Sequence, residues 1–172
     1  MKKRTKYLIL IITFSLLTLF DQFSKILAVK NLKKGSIPLI DGVFELFYLE
    51  NRGAAWGILS GKISFFTIIT VVILICIIFL IIKIEKYDDK KYTVLQILFT
   101  ILASGALGNL IDRVSKGYVV DFLYFKLIDF PVFNVADCYV TISVIALLFM
   151  MLFKFSEDEL NNIFSLKKKR KV

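Results

Sequence analysis

Twenty consecutive residues, Ile63–Ile82, carry no charge. A helix rises about 1.5 Å per residue and the hydrocarbon core of a bilayer is about 30 Å thick, so this run makes one helical crossing of a membrane. Three further apolar segments accompany it, and the spans are read as about 7–29, 63–82, 92–112 and 137–154. With 58% hydrophobic residues and a mean hydropathy of +0.75, the 172-residue chain is too apolar for a soluble domain of this size. The expected fold class is an all-α membrane protein. Four transmembrane helices would carry a small extracytoplasmic β-rich cap within a single integral membrane domain over 1–172.

The formal net charge of +9 raises the question of nucleic acid. Its distribution argues for topology instead, and no nucleic-acid partner is expected. Lys2, Lys3, Arg4 and Lys6 precede the first span, Lys83, Lys86, Lys90 and Lys91 join the second to the third, and Lys167–Lys171 end the chain. In a four-span protein these blocks share one side, and that side is cytoplasmic. Both termini are then inside, and the 30–62 and 113–136 connections face outward. The first span has the basic start of a signal peptide, but Asp21 and Lys25 interrupt it and no small-x-small site precedes Lys30, so it reads as retained. The basic tail, 166–172, is expected to lie in the cytoplasm or on anionic lipid.

The chain has no histidine. This removes Ser-His-Asp triads, Cys-His dyads and His-ligated zinc together. Cys76 and Cys138 stand in apolar surroundings and suggest neither a disulfide framework nor a metal site. No metal and no cofactor are expected, so catalysis would fall to carboxylates, Lys, Ser, Thr, Tyr or Cys.

Length fixes the depth of the charges. Fourteen uncharged residues, Tyr7–Phe20, precede Asp21. They cover about 21 Å of the core, so Asp21 lies within its outer half and Lys25 near its outer edge. By the same reckoning Asp137 falls below the outer surface, with Asn109, Asp112 and Arg113 at the outer end of the third span. Ionisable residues inside a membrane are rare and face a bundle interior or a wet cavity. Asp21 and Lys25 are four apart and can pair on one helix face, and Arg113 can pair with either outward acid. These residues, with Asp112, read equally as helix-locking ion pairs and as parts of a site. Asp121 and Asp137 differ, because each has an apolar flank and no basic residue within three positions. Two carboxylates sharing a proton can divide into acid and base and activate water against a peptide carbonyl.

Five blocks in order, "DQFSK" (21–25), "NRGAAWG" (51–57), "GALGNLIDR" (105–113), "VVDF" (119–122) and "FNVAD" (133–137), resemble the lipoprotein signal peptidases, or signal peptidase II. With the four spans the likeness covers about residues 5–155. It implies an intramembrane aspartic endopeptidase that cleaves prolipoproteins before their diacylglyceryl-modified cysteine. Asp121 and Asp137 would be catalytic. Asp21, Lys25, Asn51, Gly53, Asn109, Asp112, Arg113 and Asn134 match positions that shape and support the site. Lipid-modified prolipoproteins and membrane lipids would be the partners of a monomer in the bacterial cytoplasmic membrane, its active site at the outer leaflet. Two positions depart from the family pattern: Ser104 stands where a glycine is usual, and Cys138 where a serine is usual. Ser104 and Gly108 still offer a small-xxx-small packing face. Cys138 has no histidine to activate it and reads as a packing residue.

The outer loop is expected to carry strand at "GVFELFYLEN" (42–51), rich in Phe, Tyr and Leu, with "VVDFLYF" adding another. Trp56 would anchor it at the interface. Three rival readings remain at this stage. One is a small ion or proton carrier, which the one-sided clustering of charge disfavours. Another is a non-catalytic scaffold with a charged lock. The last is a Ser-Lys protease, disfavoured because Ser24–Lys25 and Ser115–Lys116 are sequence neighbours that diverge on a helix.

Overall fold

The computed structural model describes residues 3–53 and 61–165. Trp56 and the basic tail lie outside the described residues. Among the described residues four helices are long and apolar enough to cross a membrane: α1 (Lys3–Leu32), α2 (Ile63–Ile84), α3 (Lys90–Lys116) and α4 (Val135–Phe153). Each falls on a span read from the sequence, and α1 and α3 extend two to four residues beyond it at each end. A fifth, short helix, α5 (Glu157–Phe164), follows the last span. Among the described residues there are three strands, β1 (Ile37–Ile40), β2 (Phe44–Asn51) and β3 (Val119–Tyr124).

Helix α3 is the axis of the bundle and packs against α1, α2 and α4. It is also the most buried of the four, whereas α2 is the most apolar and the least buried. That inversion is what lipid as solvent produces: apolar side chains such as Ile68, Ile75 and Ile82 turn outward, and small or polar ones turn inward. Glycines set the closeness of α3 to its neighbours. A Cβ on Gly105 would stand 2.6 Å from the Ala136 carbonyl oxygen, and one on Gly108 would collide with the Asp21 carboxylate. The chain leaves α3 through Gly117, whose φ of 74° is the left-handed conformation that glycine adopts freely.

The sheet has the order β1-β2-β3 and is antiparallel throughout. Asp121 sits opposite Leu49, and Val119 opposite Asn51. The sheet closes one end of the bundle. Val120 and Phe122 of β3 bury with Ala28 and Leu32 of α1, and Leu46 and Tyr48 of β2 pack on them. Strands β2 and β3 agree with the expected cap. Strand β1, with its proline and fully exposed face, carries no amphipathic signal. At the far end, Ile84, Tyr92, Leu95, Phe155 and Ile163 form a second core beneath α5. A buried ion pair also stands there, Lys6 to Glu85 at 3.0 Å, with Gln96 donating to the same carboxylate oxygen at 3.0 Å.

Candidate active site

Two acids arrive at the sheet end from different elements. Asp121 is carried by β3 and is buried. Asp137 is the third residue of α4 and is half-buried. The start of α4 explains its placement. Asn134 caps the helix, its side-chain oxygen accepting the Asp137 N–H at 3.1 Å, while the Asp137 carboxylate accepts the Asn134 backbone N–H at 3.0 Å. This reciprocal box fixes the Asp137 rotamer.

Three asparagines surround the pair. Asn134 Nδ2 donates to Asp121 Oδ1 at 2.6 Å, and Asn51 Nδ2 donates to Asp121 Oδ2 at 2.8 Å. Asn109 Nδ2 donates to Asp137 Oδ1 at 2.8 Å. Every carboxylate oxygen of the two acids therefore has one N–H donor, and all of these are neutral amides. The asparagine oxygens are engaged as well: Gly53 N–H donates to Asn51 at 2.9 Å, and Asn134 Nδ2 to Asn109 at 3.2 Å. Each amide is thus held with its NH₂ toward an acid. Burial, and then the charge of Asp137, push the Asp121 carboxyl up to about 7, against the lowering effect of its Asn51 and Asn134 donors. Among the described residues neither acid has an ion-pair partner within 4.0 Å.

The other charges stand just behind. Lys25 is fully buried and pairs with Asp21 at 3.0 Å and Asp112 at 3.2 Å. Lys116 pairs with Asp112 at 2.8 Å. The expectation that Arg113 pairs with an outward acid is not met, since its guanidinium stands 5.6 Å from the centre of the Phe66 ring on α2. The physical reason is competition: Asp112 is already held by two lysines, and the carboxylate oxygens of Asp121 and Asp137 by amides. Lys116 and Gln22 are supporting residues that sequence reasoning missed. Lys116 carried a usable signal, being four residues after Asp112 on a helix. Gln22, which donates to Asp21 and to the Gly108 carbonyl, both at 3.0 Å, carried none.

Four membrane-length helices capped at one end by a sheet, with two amide-clad acids beneath it, define a multi-pass membrane protein with a carboxylate-centred site. The model of the family described as Signal peptidase (SPase) II matches residues 13–153. A lipoprotein signal peptidase of Caldanaerobacter subterraneus subsp. tengcongensis is 47% identical over 146 residues, covering 84% of this chain and 96% of that protein. One from Enterococcus faecalis is 42% identical over 134 residues, covering 77% and 81%. Two bacterial membrane enzymes solved by the in meso method, each 38% identical, superpose with TM-scores of 0.75 and 0.70. The first covers 95% of this chain and 93% of its own, the second 86% and 94%. The chain belongs to the signal peptidase II family and is a membrane peptidase.

Proposed function

We propose that this protein removes signal peptides from lipid-modified prolipoproteins, cleaving before the diacylglyceryl-modified cysteine with Asp121 and Asp137 as its working pair. The observation that carries the reading is the donor shell: four carboxylate oxygens, each met by one neutral amide N–H, with no cation within ion-pair distance among the described residues. A merely structural pair of buried acids would be expected to take lysines, as Asp21 and Asp112 do.

Burial and mutual repulsion leave the pair one shared proton near neutral pH, and we assign it to Asp121, with Asp137 as the base. A water between them loses a proton to Asp137 as its oxygen attacks the scissile carbonyl carbon. Asp121 passes its proton to the carbonyl oxygen, giving a gem-diol. On collapse Asp137 returns a proton to the departing nitrogen, the C–N bond breaks, and a diol hydroxyl proton restores Asp121. Atoms and charge balance, and no residue outside the pair need change protonation. The amides bond the acids without competing for the shared proton.

The basic ends support a topology with both termini in the cytoplasm and the sheet outside. The acids then lie at the level of the outer leaflet, where the lipid chains of the substrate hold its cysteine. The protein acts as a monomer. The decisive experiment is incubation in lipid with a synthetic diacylated precursor and its unlipidated twin, alongside Asp121→Asn and Asp137→Asn. Only the lipidated peptide is cut, and each variant folds but leaves it intact. Near-normal cleavage by either variant would overturn the pair, and equal cleavage of the twin would overturn the substrate.

A further inference from the structure

We propose that Lys25 is the positioning residue that sets Asp121 and Asp137 at their working separation, an inference that rests on those two acids being the working pair. The Lys25 side chain is wholly buried, and its ammonium has three acceptors for its three hydrogens: Asp21 Oδ2 at 3.0 Å, Asp112 Oδ2 at 3.2 Å and Asn109 Oδ1 at 2.8 Å. Each acceptor leads onward to one of the acids. Asp21 Oδ1 accepts the backbone N–H of Ala136 at 2.9 Å, and Ala136 immediately precedes Asp137. Asp112 Oδ2 accepts the backbone N–H of Val120 at 3.1 Å, and Val120 immediately precedes Asp121. Asn109 donates directly to Asp137. One ammonium therefore ties the backbone that delivers the first acid to the backbone that delivers the second.

A simple lock between α1 and α3 needs only Lys25 and Asp112. It has no need for both carboxylates to reach past the lysine to N–H groups on β3 and α4, one residue before each acid. Lys25, together with the Asn134 amide, also sets the polarity of Asn109. With the amide oxygen drawn to the ammonium, the NH₂ faces Asp137, whereas a flipped amide would turn a second oxygen on the ionised acid. Gly108 completes the arrangement by leaving room for the Asp21 carboxylate against α3.

The test compares cleavage of the lipidated precursor by three variants with the unmodified protein. Lys25→Met alone leaves the buried Asp21 carboxylate without a counter-charge, with Asp112 held by Lys116 only, and is expected to fold poorly. The neutral triple Lys25→Met/Asp21→Asn/Asp112→Asn keeps the volume and an acceptor oxygen for each backbone N–H. A displacement on the order of 1 Å at reacting atoms costs on the order of 10²-fold, so kcat falls about 100-fold while KM stays within threefold. Asp112→Asn, which leaves Lys25 balanced by Asp21, is the milder companion and lowers kcat about 10-fold with KM unchanged. A role in folding alone would instead lower the yield of active protein and leave kcat per folded molecule untouched. Unchanged kcat in both the triple and Asp112→Asn, with Asp121→Asn inactive in the same assay, would overturn the role of Lys25 and leave the pair standing. Activity in Asp121→Asn would overturn the pair and this inference with it.

Discussion

Asn134 reaches Asp121 with a 2.6 Å hydrogen bond while its own oxygen caps the helix that carries Asp137. One residue thus serves a strand-borne acid and a helix-borne acid at once, and the two duties can be separated. Serine caps a helix about as well as asparagine but is too short to donate to Asp121. Asn134→Ser should keep the melting temperature within a few degrees and lower turnover about 10²-fold, the loss seen when one preorganised donor is removed. Asn134→Ala should lose the cap as well, at about 1 kcal/mol. Thermal unfolding in detergent and cleavage of a lipidated precursor measure the two effects independently.

Asp121 gives the protein a pH dependence of definite sign. Its carboxyl is raised by burial and by Asp137, to about 7. The folded state therefore favours the protonated form. The contribution to stability is complete below the ordinary carboxylate range and is lost as pH rises through about 7. The melting temperature of the unmodified protein should fall over that window more than that of Asp121→Asn. The kcat/KM of the unmodified protein should decline above a pH of about 7, as the proton donor is lost. A flat profile from pH 6 to 9 would exclude Asp121 as that donor.

Glycines 105 and 108 bear directly on the site, because Ala136 and Asp21 fill the space a side chain would need. Gly105→Ala and Gly108→Ala should each cost about 1–3 kcal/mol from overpacking. Gly108→Ala should in addition push the Asp21 carboxylate off the Ala136 N–H and lower activity in what still folds. Gly35→Ala, which meets open space, is the control and should change neither.

The Lys6–Glu85 pair stands at the opposite end of the bundle from the acids, with both side chains about nine-tenths buried. Glu85→Ala strands the lysine and should destabilise by about 3 kcal/mol. Lys6→Met/Glu85→Gln keeps an acceptor for Gln96 and should recover most of that loss. Neither should alter kcat at a temperature where the protein is folded. A changed kcat would mean that the far end communicates with the site.

The parts of the fold legible in the sequence were those that a solvent rule governs. Uncharged runs of membrane length yielded all four spans, and aromatic-rich, branched segments yielded β2 and β3. Strand β1 escaped because Ile37–Ile40 holds a proline and buries no face. Helix α5 escaped although Ser156 and Glu159 spell a capping box, a local signal overlooked beside the long spans. At the site, residue types and depth singled out Asp21, Lys25, Asn109, Asp112, Asp121 and Asp137, and the resemblance added Asn134; the structure joins these seven in one hydrogen-bonded cluster. Which acid takes which cation was not legible. Arg113 was the natural partner by position, yet Lys25 and Lys116 reach Asp112 and leave the guanidinium over Phe66. The backbone donors of Val120 and Ala136 have no side-chain signature and only three-dimensional structure reveals them.

The acids, their amides and the Asp21–Lys25 pair behind them come from α1, β2, α3, β3 and α4, so they span nearly the whole order of synthesis. A chain still threading into the bilayer holds Asp21 and Lys25 long before Asp137 has been made. Its two acids cannot meet until the last helix is seated against the first. A half-inserted copy holds no assembled pair, and this latency comes from topology alone.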